Sequence, residues 1–114
     1  MNYSDGVYMF KSPVTCKDIL QYTKDNLQYL DNITMSYDRR KKKWIRLGLM
    51  FTRESEGIMT ITFLYIDLKK SRLEWNIDKY NLVEEECDEI ENGFIPLQCN
   101  TLSPIVNYLL EQIE

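Results

Sequence analysis

Two charged runs are the densest sets of reactive side chains in this sequence. Asp38-Arg39-Arg40-Lys41-Lys42-Lys43-Trp44-Ile45-Arg46 places six cations in the eight residues from Arg39 to Arg46. Like charges packed this closely repel, so the run must be solvated or matched by anions. Phosphate contact, a nuclear-import signal and an acidic protein partner are the functions such a run serves, and Trp44 beside it offers a ring for stacking a base. The plain structural reading is a solvated turn that keeps a sheet edge from aggregating. The counterpart, Glu84-Glu85-Glu86-Cys87-Asp88-Glu89-Ile90-Glu91, holds six acids in eight residues. It lacks the alternating oxygen ligands and central Gly of a calcium loop. It reads as a solvated acidic segment, as a contact to a basic partner, or as the intramolecular mate of the basic run.

The candidate partner-binding residues are therefore Arg39, Arg40, Lys41, Lys42, Lys43, Trp44 and Arg46 on the basic side and Glu84, Glu85 and Glu86 on the acidic side. Residues 1–57 carry a net charge of +3 and residues 58–114 a net charge of −7, which gives −4 for the chain. Charge segregated in this way steers a partner during approach. A pI of about 4.9 repels phosphate everywhere except at the basic run, which favours a protein partner over nucleic acid.

The 114 residues contain no histidine. Ser-His-Asp and Cys-His hydrolases, His-containing zinc sites and His-ligated haem are thereby excluded. No Gly-rich phosphate loop and no nucleophile elbow occurs. Cys16, Cys87 and Cys99 lie far apart with no CxxC spacing. Free thiols are expected, with a Cys87–Cys99 disulfide as the alternative in an oxidising compartment. Met1 to Gly6 has no basic start followed by an apolar run, so no signal peptide is expected. The most apolar stretch, Ile58 to Leu68, is too short for a membrane helix. Cytoplasm or nucleus is the location these features suggest.

The elements that must position the charged runs follow from periodicity. Val7-Tyr8-Met9-Phe10 reads as a strand or a tethered arm. A helix starts at Ser12-Pro13 or at Thr15, whose capping partner would be Asp18. Cys16, Ile19, Leu20, Thr23, Leu27 and Leu30 form its apolar stripe, and Asp31-Asn32 ends it. Period-two alternation marks strands at Ile33 to Tyr37, Trp44 to Thr52, Ile58 to Leu68 and Leu73 to Ile77. Ile58 to Leu68 is apolar on both phases and so reads as central and buried on both faces. Trp44 falls on the phase opposite Ile45 and Leu47, and Trp75 in phase with Leu73 and Ile77. Residues 79–100 are the least regular part: Leu82 to Glu91 reads as a short acidic helix or loop, Gly93 breaks it, and Phe94-Ile95-Pro96-Leu97 resumes extended structure. Ser103-Pro104 opens a second amphipathic helix.

The expected fold is α+β: a two-layer sandwich in which a four-stranded antiparallel meander carries two amphipathic helices on one face, as a single globular domain over residues 1–114. One sheet face stays free of helices, partly apolar at Met50, Met59 and Phe63. The expected function is a non-catalytic protein–protein interaction module, an adaptor, assembly subunit or inhibitor that acts by occupying a surface. Its partner is another protein, a homodimer through the sheet face being one form. No enzyme activity, cofactor, metal or membrane is expected. The alternative is a nucleic-acid-associated protein using the basic tip at residues 39–46.

Overall fold

The computed structural model of the chain describes residues 10–113. Val7 to Met9 of the expected N-terminal strand or arm lie outside them; Phe10 packs its ring 5.4 Å from that of Tyr22. The element order is β1 (Val14–Thr15), α1 (Cys16–Asp25), a 3-10 turn (Leu27–Tyr29), β2 (Leu30–Asp38), β3 (Lys43–Ser55), β4 (Ile58–Asp67), β5 (Arg72–Asn81), β6 (Glu86–Gln98) and α2 (Ser103–Ile113).

The four-stranded meander is too small. The strands form one six-stranded mixed sheet, in the order β1-β6-β5-β4-β3-β2, curled into a half-barrel around the two helices. The missing strands are β1 and β6. Phe94 to Leu97 is extended as expected, but residues 86–91 are neither helix nor loop: they belong to the same strand, β6, one of the two longest. Its alternation is hidden because the pairing with β5 slips at Ile77/Asp78, leaving Ile90 as an extra residue that flips the phase. Gly93 and Pro96 hide it further. Gly93 is required there, since a Cβ would lie 2.8 Å from the Trp75 ring. Pro96 is tolerated because β1 covers β6 only at Leu97 and Gln98, so this stretch is an edge.

Three of the four hairpins have a common physical cause. Asp38 Oδ1 accepts from the amides of Arg40 and Lys41, at 2.9 and 3.0 Å. Asp67 Oδ1 accepts from Lys69 and Lys70, and Asn81 Oδ1 from Val83 and Glu84. A short acceptor at the end of a strand thus folds the next residues into a turn. Each of these three turns closes on a left-handed residue, Lys42, Ser71 or Glu85. The fourth, Glu56-Gly57, is a two-residue turn with both φ positive, as a tight hairpin requires.

α1 starts from the second of the two predicted caps: the Thr15 hydroxyl accepts from the Asp18 amide, and the Asp18 carboxylate accepts from the Thr15 amide. It ends at Asp25, earlier than expected. The core lies between the helices and the concave face. Ile19 of α1 and Ile105, Val106 and Leu109 of α2 pack with Leu47, Leu49, Leu64, Ile66, Leu73 and Ile77. β4 is central as expected, yet only its Leu64 and Ile66 phase is covered.

Cys16 and Cys99 form a disulfide, with Cα atoms 5.2 Å apart, while Cys87 is free and exposed. The expectation of free thiols thus holds for Cys87 alone, and the Cys87–Cys99 alternative fails because β6 carries residue 87 to one end of the sheet and residue 99 to the other. Both paired sulfurs also lie against the Thr101 carbonyl oxygen, at 2.9 and 3.1 Å, which two thiols would use as an acceptor.

Candidate functional site

Successive antiparallel hairpins alternate ends. The β2–β3 and β4–β5 turns therefore share one end of the sheet, and the β3–β4 and β5–β6 turns share the other. Arg39, Arg40, Lys41 and Lys42 are exposed in the first turn, Lys43 opens β3, and Lys69 and Lys70 extend from the neighbouring turn. The Lys41 amide, joined by that of Arg40 and by the charges of Lys41 and Lys69, holds the Asp38 carboxyl below its ordinary value. At the opposite end, Glu84, Glu85 and Glu86 are exposed, and Glu54 and Glu56 join them. The two turns there are tied by a Leu82 amide donating to the Gly57 carbonyl at 2.9 Å. Strands of ten residues span ~33 Å, so the two predicted runs cannot pair within one chain. Lys69, Lys70, Glu54 and Glu56 lie outside the runs, and only the topology adds them.

Between the ends lies the sheet face that the helices leave bare. The cross-strand register places Met50 beside Phe63, Gly48 beside Tyr65, Met59 beside Tyr80 and Glu74 beside Phe94. None of these apolar side chains belongs to the core. Phe63 and Tyr65 stack with ring centroids 6.0 Å apart, and Tyr65 and Phe94 are 45% and 60% exposed. The signal for Tyr65 was present in the second apolar phase of β4. Phe94 reads as extended from the sequence, but only its pairing with β5 places it on this face.

Polar groups frame this strip on the cationic side. Arg46 Nε donates to Asp67 Oδ2 at 3.2 Å, Arg72 pairs with Glu74 at 2.7 Å and lies 4.7 Å from the Phe94 ring centroid. Burial pushes the Asp67 carboxyl up, but the amides of Lys70 and Lys69 and the Arg46 guanidinium outweigh it and hold it below the usual range. A hollow of about 260 Å³ opens over Gly48, lined by Thr34, Ser36, Arg46, Tyr65 and Asp67. Its carboxylates, Asp67 and Glu74, are both tied to arginines. Among the described residues no three Cys, Asp or Glu gather as metal ligands, and no helix is long and apolar enough to cross a membrane.

Trp44 is not where alternation put it. The β2–β3 register slips at Ser36/Tyr37, and Trp44 packs against the core and edge-on to Tyr37, centroids 5.0 Å apart. Arg46, by contrast, reaches the bare face. Trp75 packs against the core and its Nε1 donates to Glu91 Oε2 at 3.1 Å. Comparison of the chain with protein-family models, with curated proteins and with solved structures finds no match, so its geometry alone carries the functional reading.

Proposed function

We propose that the protein is a non-catalytic interaction module that covers a partner protein's surface with the bare face of its sheet. One observation carries this reading: an apolar, aromatic strip at Met50, Met59, Phe63, Tyr65 and Phe94 lies between a cationic and an anionic end of the same sheet. The two features divide the work of binding. Exposed ion pairs contribute only ~0–1 kcal/mol each, so the ends set approach and orientation. Withdrawing a large apolar side chain from water contributes ~1.5–3 kcal/mol, so the strip supplies affinity. The fitting partner has an apolar centre flanked by acids on one side and bases on the other. The nucleic-acid alternative is weaker, because Trp44 is already engaged by Tyr37 and the core.

The test is a photoreactive amino acid at position 65, irradiated in the source cell, with the same residue at the exposed helix position Gln21 as control. A discrete cross-linked product from position 65 and none from position 21 is expected. No product from position 65, or equal yields, overturns the reading.

A further inference from the structure

We infer that the partner on this face is a second copy of the same chain, turned head to tail; this rests on the interaction reading above. Charge complementarity along the strands selects this occupant. A half-turn about an axis lying in the interface and crossing the strands lays β4 of one copy antiparallel over β4 of the other. The cationic end of each copy then meets the anionic end of its mate. Strand order is kept across this interface, so every cationic turn lies beside an acidic turn of the mate. The β2–β3 turn, Arg39 to Lys42, faces the β3–β4 turn with Glu54 and Glu56. The β4–β5 turn, with Lys69 and Lys70, lies between the mate's β3–β4 turn and its β5–β6 turn, where Glu84 and Glu85, and Glu86 beside them, carry the denser negative charge. Symmetry repeats each contact, as an isologous interface requires. A half-turn about an axis along the strands would instead set cations on cations and acids on acids.

The curl of the sheet limits how much surface this pairing covers. The bare face is the outside of the half-barrel, so contact centres on β3, β4 and β5. Three strands paired over ten residues present ~500 Å² per copy. The total of ~1000 Å² sits at the low end for a specific interface. A reversible dimer in the micromolar range is the consequence, dependent on its charged ends and weakened by salt as the Debye length contracts.

Sedimentation velocity at ~100 µM tests this, well above a micromolar constant. One variant carries Glu84→Lys, Glu85→Lys and Glu86→Lys; the other carries Lys69→Glu and Lys70→Glu. The unaltered chain should be dimeric in dilute salt and dissociate as salt rises. Each variant alone should associate at least ~10-fold more weakly, and an equimolar mixture should recover the dimer, since both altered contacts become complementary again. A chain with all five changes should dimerise like the original, which controls for folding. A monomeric original chain, variants that still dimerise, or a mixture that does not recover overturns the second-copy assignment. If position 65 then cross-links to a different protein, the assignment fails while the interaction reading stands; if it cross-links to nothing, the reading itself fails.

Discussion

Replacing Cys16 and Cys99 together with serine removes the covalent link between the first residue of α1 and the residue that follows β6. The link spans 83 residues of sequence. Closing a loop of that length restricts the unfolded chain by ~4.5 kcal/mol in the chain-entropy account. The serine hydroxyls recover part of this, because the Thr101 carbonyl that faces both sulfurs accepts from them; two such bonds contribute ~1–2 kcal/mol. The net loss is ~3 kcal/mol. With an unfolding entropy of ~2.1 cal/mol/K per residue, that lowers the melting temperature by ~12 °C. Circular dichroism melts of the oxidised chain, the reduced chain and the double serine variant measure it. Reduction should lower the melting temperature in the same direction. Three reactive thiols in the unreduced protein, or a melt indifferent to reductant, would refute the reasoning.

Asp67→Asn should cost ~1–2 kcal/mol near neutral pH, a value held down because Arg46 is half exposed. The Asp67 carboxyl titrates below its ordinary value in the fold, so its contribution is present above the unfolded value of ~3.9 and lost as pH falls through the lower folded one. Urea unfolding at pH 6 and pH 3 should therefore show a smaller acid loss in the variant than in the original chain. Gly93→Ala should destabilise by ~1–3 kcal/mol, because the new methyl displaces the Trp75 ring and its bond to Glu91; an unchanged melt and unchanged tryptophan fluorescence would contradict the packing. Trp44→Ala should lower thermal stability by ~2–3 kcal/mol, below the full core cost, since the ring is only partly buried. Loss of binding at full stability would return Trp44 to the role of an exposed anchor.

What the sequence made legible follows from which signals are local. The Thr15 and Asp18 pair, the stripe through Ile19, and the alternation of Ile45, Leu47, Leu49 and Phe51 each act within a few residues, and α1 and β3 form there. Of β6 only Phe94 to Leu97 was legible as extended; its continuity from Glu86 was not, because its extra residue, its acids and Gly93 are settled by the partner strand rather than by the segment itself. The Asn81 turn was the missed clue, since it repeats the acceptor geometry of Asp38 and Asp67. β1 has two residues and no pattern to read. Hydropathy showed that both phases of β4 are apolar but not that one is left uncovered, because burial depends on where the helices land. The charged ends were visible as two runs; their separation, and the addition of Lys69, Lys70, Glu54 and Glu56, needed the topology.

The methionine methyl groups give the most direct measurement of the central claim. Met50 and Met59 lie on the bare face, whereas Met35 packs against the core under the helices. In methyl NMR of the chain diluted from ~500 to ~20 µM in dilute salt, a range bracketing a micromolar constant, the Met50 and Met59 resonances should move with concentration and Met35 should hold still. Resonances of Met50 and Met59 that are independent of concentration, or a shift confined to Met35, would contradict the account.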